Sequence, residues 1–99
     1  MKTNGAVAAL SALAQEARLK IFRLLVQTGP DGMAASKIAE RLGLPPSTLS
    51  FHLKELNQAA LIEARQDGRF IIYSANFATM NGLVAYLTEN CCGGKSCAT

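Results

Sequence analysis

Three cysteines, Cys91, Cys92 and Cys97, are the side chains best suited to coordination or redox chemistry, and all of them fall within residues 91–97. An odd number of cysteines in one short stretch is a poor disulfide framework. It points to a reducing compartment in which the sulfurs persist as thiols. Thiolates select soft ions. Zinc asks for four ligands, and this cluster supplies three sulfurs. Trivalent arsenic and antimony carry a lone pair and take three sulfurs in a pyramid, so As(III) and Sb(III) fit, with Bi(III) as a further candidate. Gly93 and Gly94 have the backbone freedom to let the chain turn Cys97 back toward Cys91 and Cys92. Two other readings stay open. One is a thiol redox switch through a Cys92–Cys97 disulfide, adjacent Cys91 and Cys92 being able to form only a strained one. The other is a loose tail with incidental cysteines, although free cysteine is normally a buried residue.

A second set suits hydrogen bonding to a polyanion. Ser47, Ser50, Phe51, Lys54 and Gln58 share the outer face of a helix whose other face carries Leu49, Leu53, Leu56 and Ala60. A helix that enters a DNA major groove, about 12 Å wide, needs an outer face that is small and polar near its N-terminus. Ser47 and Thr48 lie in the first turn, where hydroxyls and unpaired backbone N–H groups meet phosphate. Phe51 is a large apolar group on a face that is otherwise polar, and a thymine methyl is a fitting partner. His52, the sole histidine, flanks the apolar face between Leu49 and Leu56. It fits a structural hydrogen bond or a phosphate contact, and it lacks nearby partners for a metal. Arg65 and Arg69 flank Asp67-Gly68, so a hairpin there would present arginines to a minor groove or the phosphate backbone. Against these stand plainer roles: capping for Ser47 and Thr48, packing for Phe51, solvation for Lys54 and the arginines.

The elements that must carry these groups follow from periodicity. Val7, Leu10 and Leu13 sit at helical spacing in 6–14, and Leu19, Phe22 and Val26 form a stripe in 15–27 with Ile21 and Leu25 beside it. Thr28-Gly29-Pro30-Asp31-Gly32 breaks the chain. A short helix over 36–42 ends at Gly43, with Ser36 as a candidate N-cap, although Ala34 and Ala35 could extend it backwards. Pro46 suits the first turn of the next helix, which runs to about Ala60. Residues 62–66 and 69–74 read as strands joined by Asp67-Gly68, a leading two-residue hairpin turn. A final helix over 77–89, capped by Asn76, has Phe77, Met80, Val84 and Leu87 along a seam widened by Leu83. The predicted class is mainly α with a small β-hairpin, in the order α-α-α-α-β-β-α. Residues 36–60 follow the helix-turn-helix plan, and the hairpin is the wing. Residues 1–89 form one DNA-binding and dimerisation domain, and 90–99 a flexible cysteine-bearing tail.

Composition sets outer bounds. The chain has 99 residues, enough for one domain with a modest core, for which dimerisation is a natural support. Net charge is +3, a mild bias that permits a nucleic-acid partner. No apolar run is long enough for a bilayer, and Ala6–Ala14 reads as an amphipathic helix and not a signal peptide, so a cytoplasmic location is expected. No acid–base pair, histidine-activated nucleophile or phosphate-binding glycine loop is legible, so an enzyme is not expected. A helical protein–protein adaptor without DNA remains a rival reading.

On these residues the chain resembles the ArsR/SmtB family of metal- and metalloid-responsive winged-helix repressors. Ala17-Arg18-Leu19-Lys20-Ile21, Ile38-Ala39-Glu40-Arg41-Leu42-Gly43-Leu44 and Asp67-Gly68-Arg69 with Tyr73 carry the resemblance; the stretch from Ser47 to Leu56 is the most specific. It departs at Ala59-Ala60, where Ala-Gly is usual, and at Pro45-Pro46, where a polar N-cap is common. The resemblance implies a homodimer through the first and last helices, binding of operator double-stranded DNA, and release by an inducer. Two familiar ligand sites of the family are missing: 33–39 has no cysteine, and 77–89 offers Glu89 without a histidine. The C-terminal cysteines are similar to those of members that sense As(III) there, with Cys91, Cys92 and Cys97 as the implied ligands.

Overall fold

The computed structural model describes residues 1–94. Within them lie α1 (Thr3–Leu13), α2 (Glu16–Thr28), β1 (Met33–Ala34), α3 (Ala35–Leu42), α4 (Pro46–Gln58), β2 (Ile62–Asp67), β3 (Phe70–Ala75) and α5 (Phe77–Thr88). A tight turn over Cys91–Gly94 follows, with Cys92 and Gly93 in the left-handed region. The strands form one antiparallel sheet in the order β1-β3-β2, which makes this the winged helix-turn-helix architecture. Ile21 and Leu25 of α2, Ile38 of α3, Leu56 of α4 and Leu61-Ile62 at the entry to the wing are fully buried and form the centre of the core. Burial of each such side chain stabilises the fold by about 1.5–3 kcal/mol.

Periodicity locates the helices, but the structure selects different inner faces. In α1 the alanines Ala6, Ala9 and Ala12 are buried, while Val7 and Leu10 face solvent. Small residues let α1 lie close on α2 and α4, and the larger apolar groups are turned away. In α2 the inner residues are Ile21, Phe22 and Leu25; Leu19 is exposed. In α5 Leu83 is buried, with Phe77, Met80 and Tyr86 packed on the core, whereas Val84 and Leu87 are exposed.

Several boundaries also move. β1 was not expected. Its two residues pair with Ile72 and Tyr73, too short a stretch to leave a period in the sequence. Gly32 makes this pairing possible: its φ is +75°, and a Cβ there would stand 2.5 Å from the Tyr73 carbonyl oxygen. α3 begins at Ala35, with Ala34 as its N-cap and no side-chain cap, so Ser36 lies inside the first turn. Gly43 does end α3, in the left-handed conformation, and Asn76 does cap α5, its side chain accepting from the Thr79 N–H at 3.1 Å. α4 stops at Gln58. Ala60 lies beyond it with φ +61° and is exposed, so it does not join Leu49, Leu53 and Leu56 on the buried face. The hairpin turn is one residue further on than predicted. Asp67 pairs with Phe70, so the connecting residues are Gly68 and Arg69. Only Gly68 has positive φ, the pattern of a type II′ turn with glycine first, instead of the type I′ turn that Asp-Gly favours.

Candidate nucleic-acid interface

α4 starts on Pro46, and no side chain caps it. Proline has no N–H to satisfy, and the amides of Ser47 and Thr48 precede the first intrahelical bond. The first α4 amide to close on the backbone is that of Leu49, onto the Pro45 carbonyl at 2.9 Å. The helix therefore offers an open N-terminal turn with its partial positive charge, at the end where anions bind best.

The apolar spacing of Leu49, Leu53 and Leu56 locks α4's rotation against the core. That rotation turns Ser47, Thr48, Ser50, Phe51 and Lys54 to solvent together. Phe51 is 56% exposed. Among the described residues no carboxylate pairs with Lys54 or Arg69; the ion pair found there joins Lys20 to Glu16 on α2, at 3.0 Å. The outer face of α4 can thus offer hydroxyl donors, one cation and one apolar group, the mixture that contacts phosphates, base edges and thymine methyls.

Gln58 is exposed too, but it lies at the other end of α4 and lines a cleft with Ser11, Arg18 and Glu55. Eleven residues of helix separate it from Ser47, about 16 Å of rise. His52 is turned inward, 8% exposed, with no hydrogen-bond partner for its Nδ1. Its ring meets that of Phe51 edge to face, with centroids 5.6 Å apart, so it supports Phe51 from behind.

In the wing, Arg69 occupies the turn itself. Arg65 lies two rungs back, opposite Ile72, and donates to the carbonyl of Asp31. It braces the wing on the α2–β1 loop and is not at the tip. Ser36 joins the surface although it had been assigned to capping. Exposed on α3, it shares a cleft with Pro46 and Ser50. Only the true start of α3 reveals this. Phe70, beside Arg69, is also exposed, and no periodicity singles it out.

At the C-terminal end, Cys91 and Cys92 are exposed and their sulfurs lie 3.6 Å apart. Cys97 lies outside the described residues. Among those described, no three of His, Cys, Asp or Glu gather into a metal-holding group. No described helix is long and apolar enough to cross a membrane.

Comparison with known proteins agrees with this architecture. A family model for a helix-turn-helix domain matches residues 13–65. The HTH-type transcriptional regulator YgaV of Escherichia coli is 31% identical over 87 residues, which cover 88% of this chain and 86% of YgaV. Among solved structures, an ArsR-like transcriptional regulator from Rhodococcus sp. RHA1 superposes with a TM-score of 0.76 at 30% identity, covering 85% of this chain and 76% of that one. The homodimeric winged helix-turn-helix DNA-binding domain of Mb0332 from Mycobacterium bovis superposes with a TM-score of 0.69 at 27% identity, covering 97% of this chain and 89% of that one. The relatives are regulators of transcription, not enzymes. The chain belongs to the helix-turn-helix transcriptional regulators of the ArsR winged-helix kind.

Proposed function

We propose that this protein is a homodimeric repressor that lays α4 of each subunit in the major groove of its operator and lets go when a soft trivalent metalloid binds Cys91, Cys92 and Cys97. The observation that carries the DNA half is the joint exposure of Ser47, Ser50, Phe51 and Lys54 on a helix whose N-terminus is open. Two such helices in a two-fold dimer meet half-sites about one turn of DNA apart. The exposed Val7 and Leu10 of α1, with Val84 and Leu87 of α5, supply apolar surface for the subunit contact. The winged helix-turn-helix domain of Mb0332, a similar chain, is homodimeric.

The sensing half rests on sulfur chemistry. For a bond of about 2.3 Å, as in zinc thiolates, a separation of 3.6 Å between two sulfurs subtends roughly 100° at a shared ion. Once the disulfide of Cys92 is reduced to thiols, Cys91 and Cys92 at such a separation can serve as two of three ligands to As(III), Sb(III) or Bi(III), Cys97 being the third. The tail follows α5, and α5 is tied to α1 by a hydrogen bond between the Tyr86 and Thr3 hydroxyls, at 2.5 Å. α1 packs in turn on α4. Ligand binding at the tail therefore has a contiguous route to the reading helix. A coupling of about 1–3 kcal/mol, roughly 5–150-fold in affinity, is typical of such linkage.

A second reading, a thiol redox repressor on the same scaffold, is favoured by one observation: Cys92 is disulfide-bonded. One titration separates the two. Operator release is followed with arsenite under reductant and, separately, with peroxide. For the metalloid reading, arsenite releases the fully reduced protein and fails on the Cys91→Ser, Cys92→Ser, Cys97→Ser variant. Release by peroxide alone assigns the redox mechanism. Release of the triple variant by arsenite overturns the cysteine site.

A further inference from the structure

We infer that Phe70 is a wedge, inserted by the wing between two base pairs of the minor groove, that bends the duplex α4 reads. The inference rests on the DNA-binding reading above and adds to it a residue that deforms the DNA.

The register of the hairpin fixes where Phe70 stands. Ile71, Tyr73 and Ala75 share one face with Ile62, Ala64 and Gln66, and that face turns to the core, since Ile62 and Ala75 are buried and Tyr73 packs on them. Phe70, Ile72 and Ser74 share the other face with Asp67, Arg65 and Glu63. At the base this outer face is covered: Gly32, just before β1, lies close to Ile72, and Ser74 is buried. At the tip it is open. Phe70 is 59% exposed, with a carboxylate as its cross-strand neighbour. Nothing in the protein's own core needs a phenyl ring there.

The surroundings select the occupant. The turn is two residues long, because Gly68 adopts φ +62° and closes it at once, so the tip narrows to two strands about 4.8 Å apart. A tip of that width enters a groove about 6 Å across, which a helix does not. Arg69 sits in the turn next to Phe70, and the negative potential of a narrow minor groove attracts arginine. Asp67 is the acidic group at the tip, and its repulsion from phosphate is offset by Arg69 and by Arg65 on the same face. The bond from Arg65 to Asp31 holds the wing on the body of the domain, so the tip is presented on a stiff arm. Apolar wedges on such elements unstack a base step and kink the duplex away from the minor groove. Flexible pyrimidine–purine steps are the cheapest to deform, so the wing selects sequence without a base-edge hydrogen bond.

The test uses the full chain and duplexes it selects from a random library. Bending is read by energy transfer between dyes at the duplex ends, and unstacking by 2-aminopurine placed under the wing. The wild type bends the duplex and brightens 2-aminopurine. Phe70→Ala loses both signals and about tenfold in affinity, the size of one lost base–aromatic stack, with the salt dependence unchanged. Phe70→Leu keeps most of the bend, and Arg69→Ala lowers the log–log salt slope by about 0.9. Phe70→Ala that binds and bends like the wild type overturns the wedge and leaves the DNA reading standing. So does a Phe70→Ala variant that alters only the oligomeric state, for the residue then serves a protein contact. A wild type that enriches no duplex removes both.

Discussion

At the residue scale, two features of α4 decide what it can do. Pro46 begins the helix without a donor of its own, which leaves the next amides open, and Phe51 faces solvent with His52 packed behind its ring. The helix's other end shows a local cost. Ala60 has φ +61°, a region that disfavours any residue with a Cβ by about 1–2 kcal/mol. Ala60→Gly relieves that strain but loosens the unfolded chain by about 0.4–1 kcal/mol, so a net gain of roughly 0.5–1 kcal/mol is expected. Urea denaturation of the two proteins at equal concentration checks it, and unchanged or lower stability for the glycine variant contradicts the strain. The sequence already drew attention to this position as an alanine where glycine is usual. Its handed backbone was invisible until the helix end was seen at Gln58 and not at Ala60.

At the element scale, the wing depends on a contact the sequence did not announce. β1 is two residues long, and its attachment to β3 requires that position 32 have no side chain. Gly32→Ala must both adopt positive φ and displace the Tyr73 carbonyl, so a loss of at least about 2 kcal/mol is expected. Thermal unfolding followed by circular dichroism measures it; a melting temperature within a degree of wild type contradicts the packing. The link between α1 and α5 makes a different kind of prediction. Tyr86→Phe removes the hydroxyl that meets Thr3 yet leaves the exposed reading face untouched. Operator affinity without inducer stays within about twofold, while the ratio of affinities with and without arsenite moves toward one. An unaltered ratio shows that coupling bypasses this bond. Strong periods made α2, α4 and α5 legible, and Gly43, Pro46 and Asn76 marked their ends. The hairpin was legible as a whole, but its turn moved by one residue because Asp67 pairs with Phe70 and leaves Gly68-Arg69 as the connection.

At the scale of the whole molecule, the same apolar pattern serves two surfaces. A 3.6-residue period says that a helix has an apolar side. It does not say whether that side meets its own core or a second subunit. In α1 the alanines went inside and Val7 and Leu10 outside; in α5 Leu83 went inside and Val84 and Leu87 outside. The sequence put these groups on helical stripes of the first and last helices without separating core positions from subunit-facing ones, because the partner that would cover them is not written in one chain. Val84 and Leu87 are 56% and 59% exposed, so Val84→Glu with Leu87→Glu leaves the subunit folded. Sedimentation should then report a monomer, and operator affinity should fall at least about a hundredfold as the two half-sites cease to be held together. A dimer that persists in this variant moves the interface elsewhere. The three cysteines were legible as a candidate ligand set, whereas their assembly was not, and Cys97 lies outside the described residues.

The central claim is that the outward face of α4 reads DNA, and its most direct measurement compares the wild type with Ser50→Ala, Phe51→Ala, Lys54→Ala on one duplex selected by the wild type and one scrambled duplex, at two salt concentrations. These side chains are exposed, so the variant keeps its fold. The account predicts that affinity for the selected duplex falls by at least about a hundredfold while affinity for the scrambled one falls by less than about tenfold, because base contacts specify and phosphate contacts hold. Equal loss on both duplexes, or undiminished preference for the selected one, contradicts it.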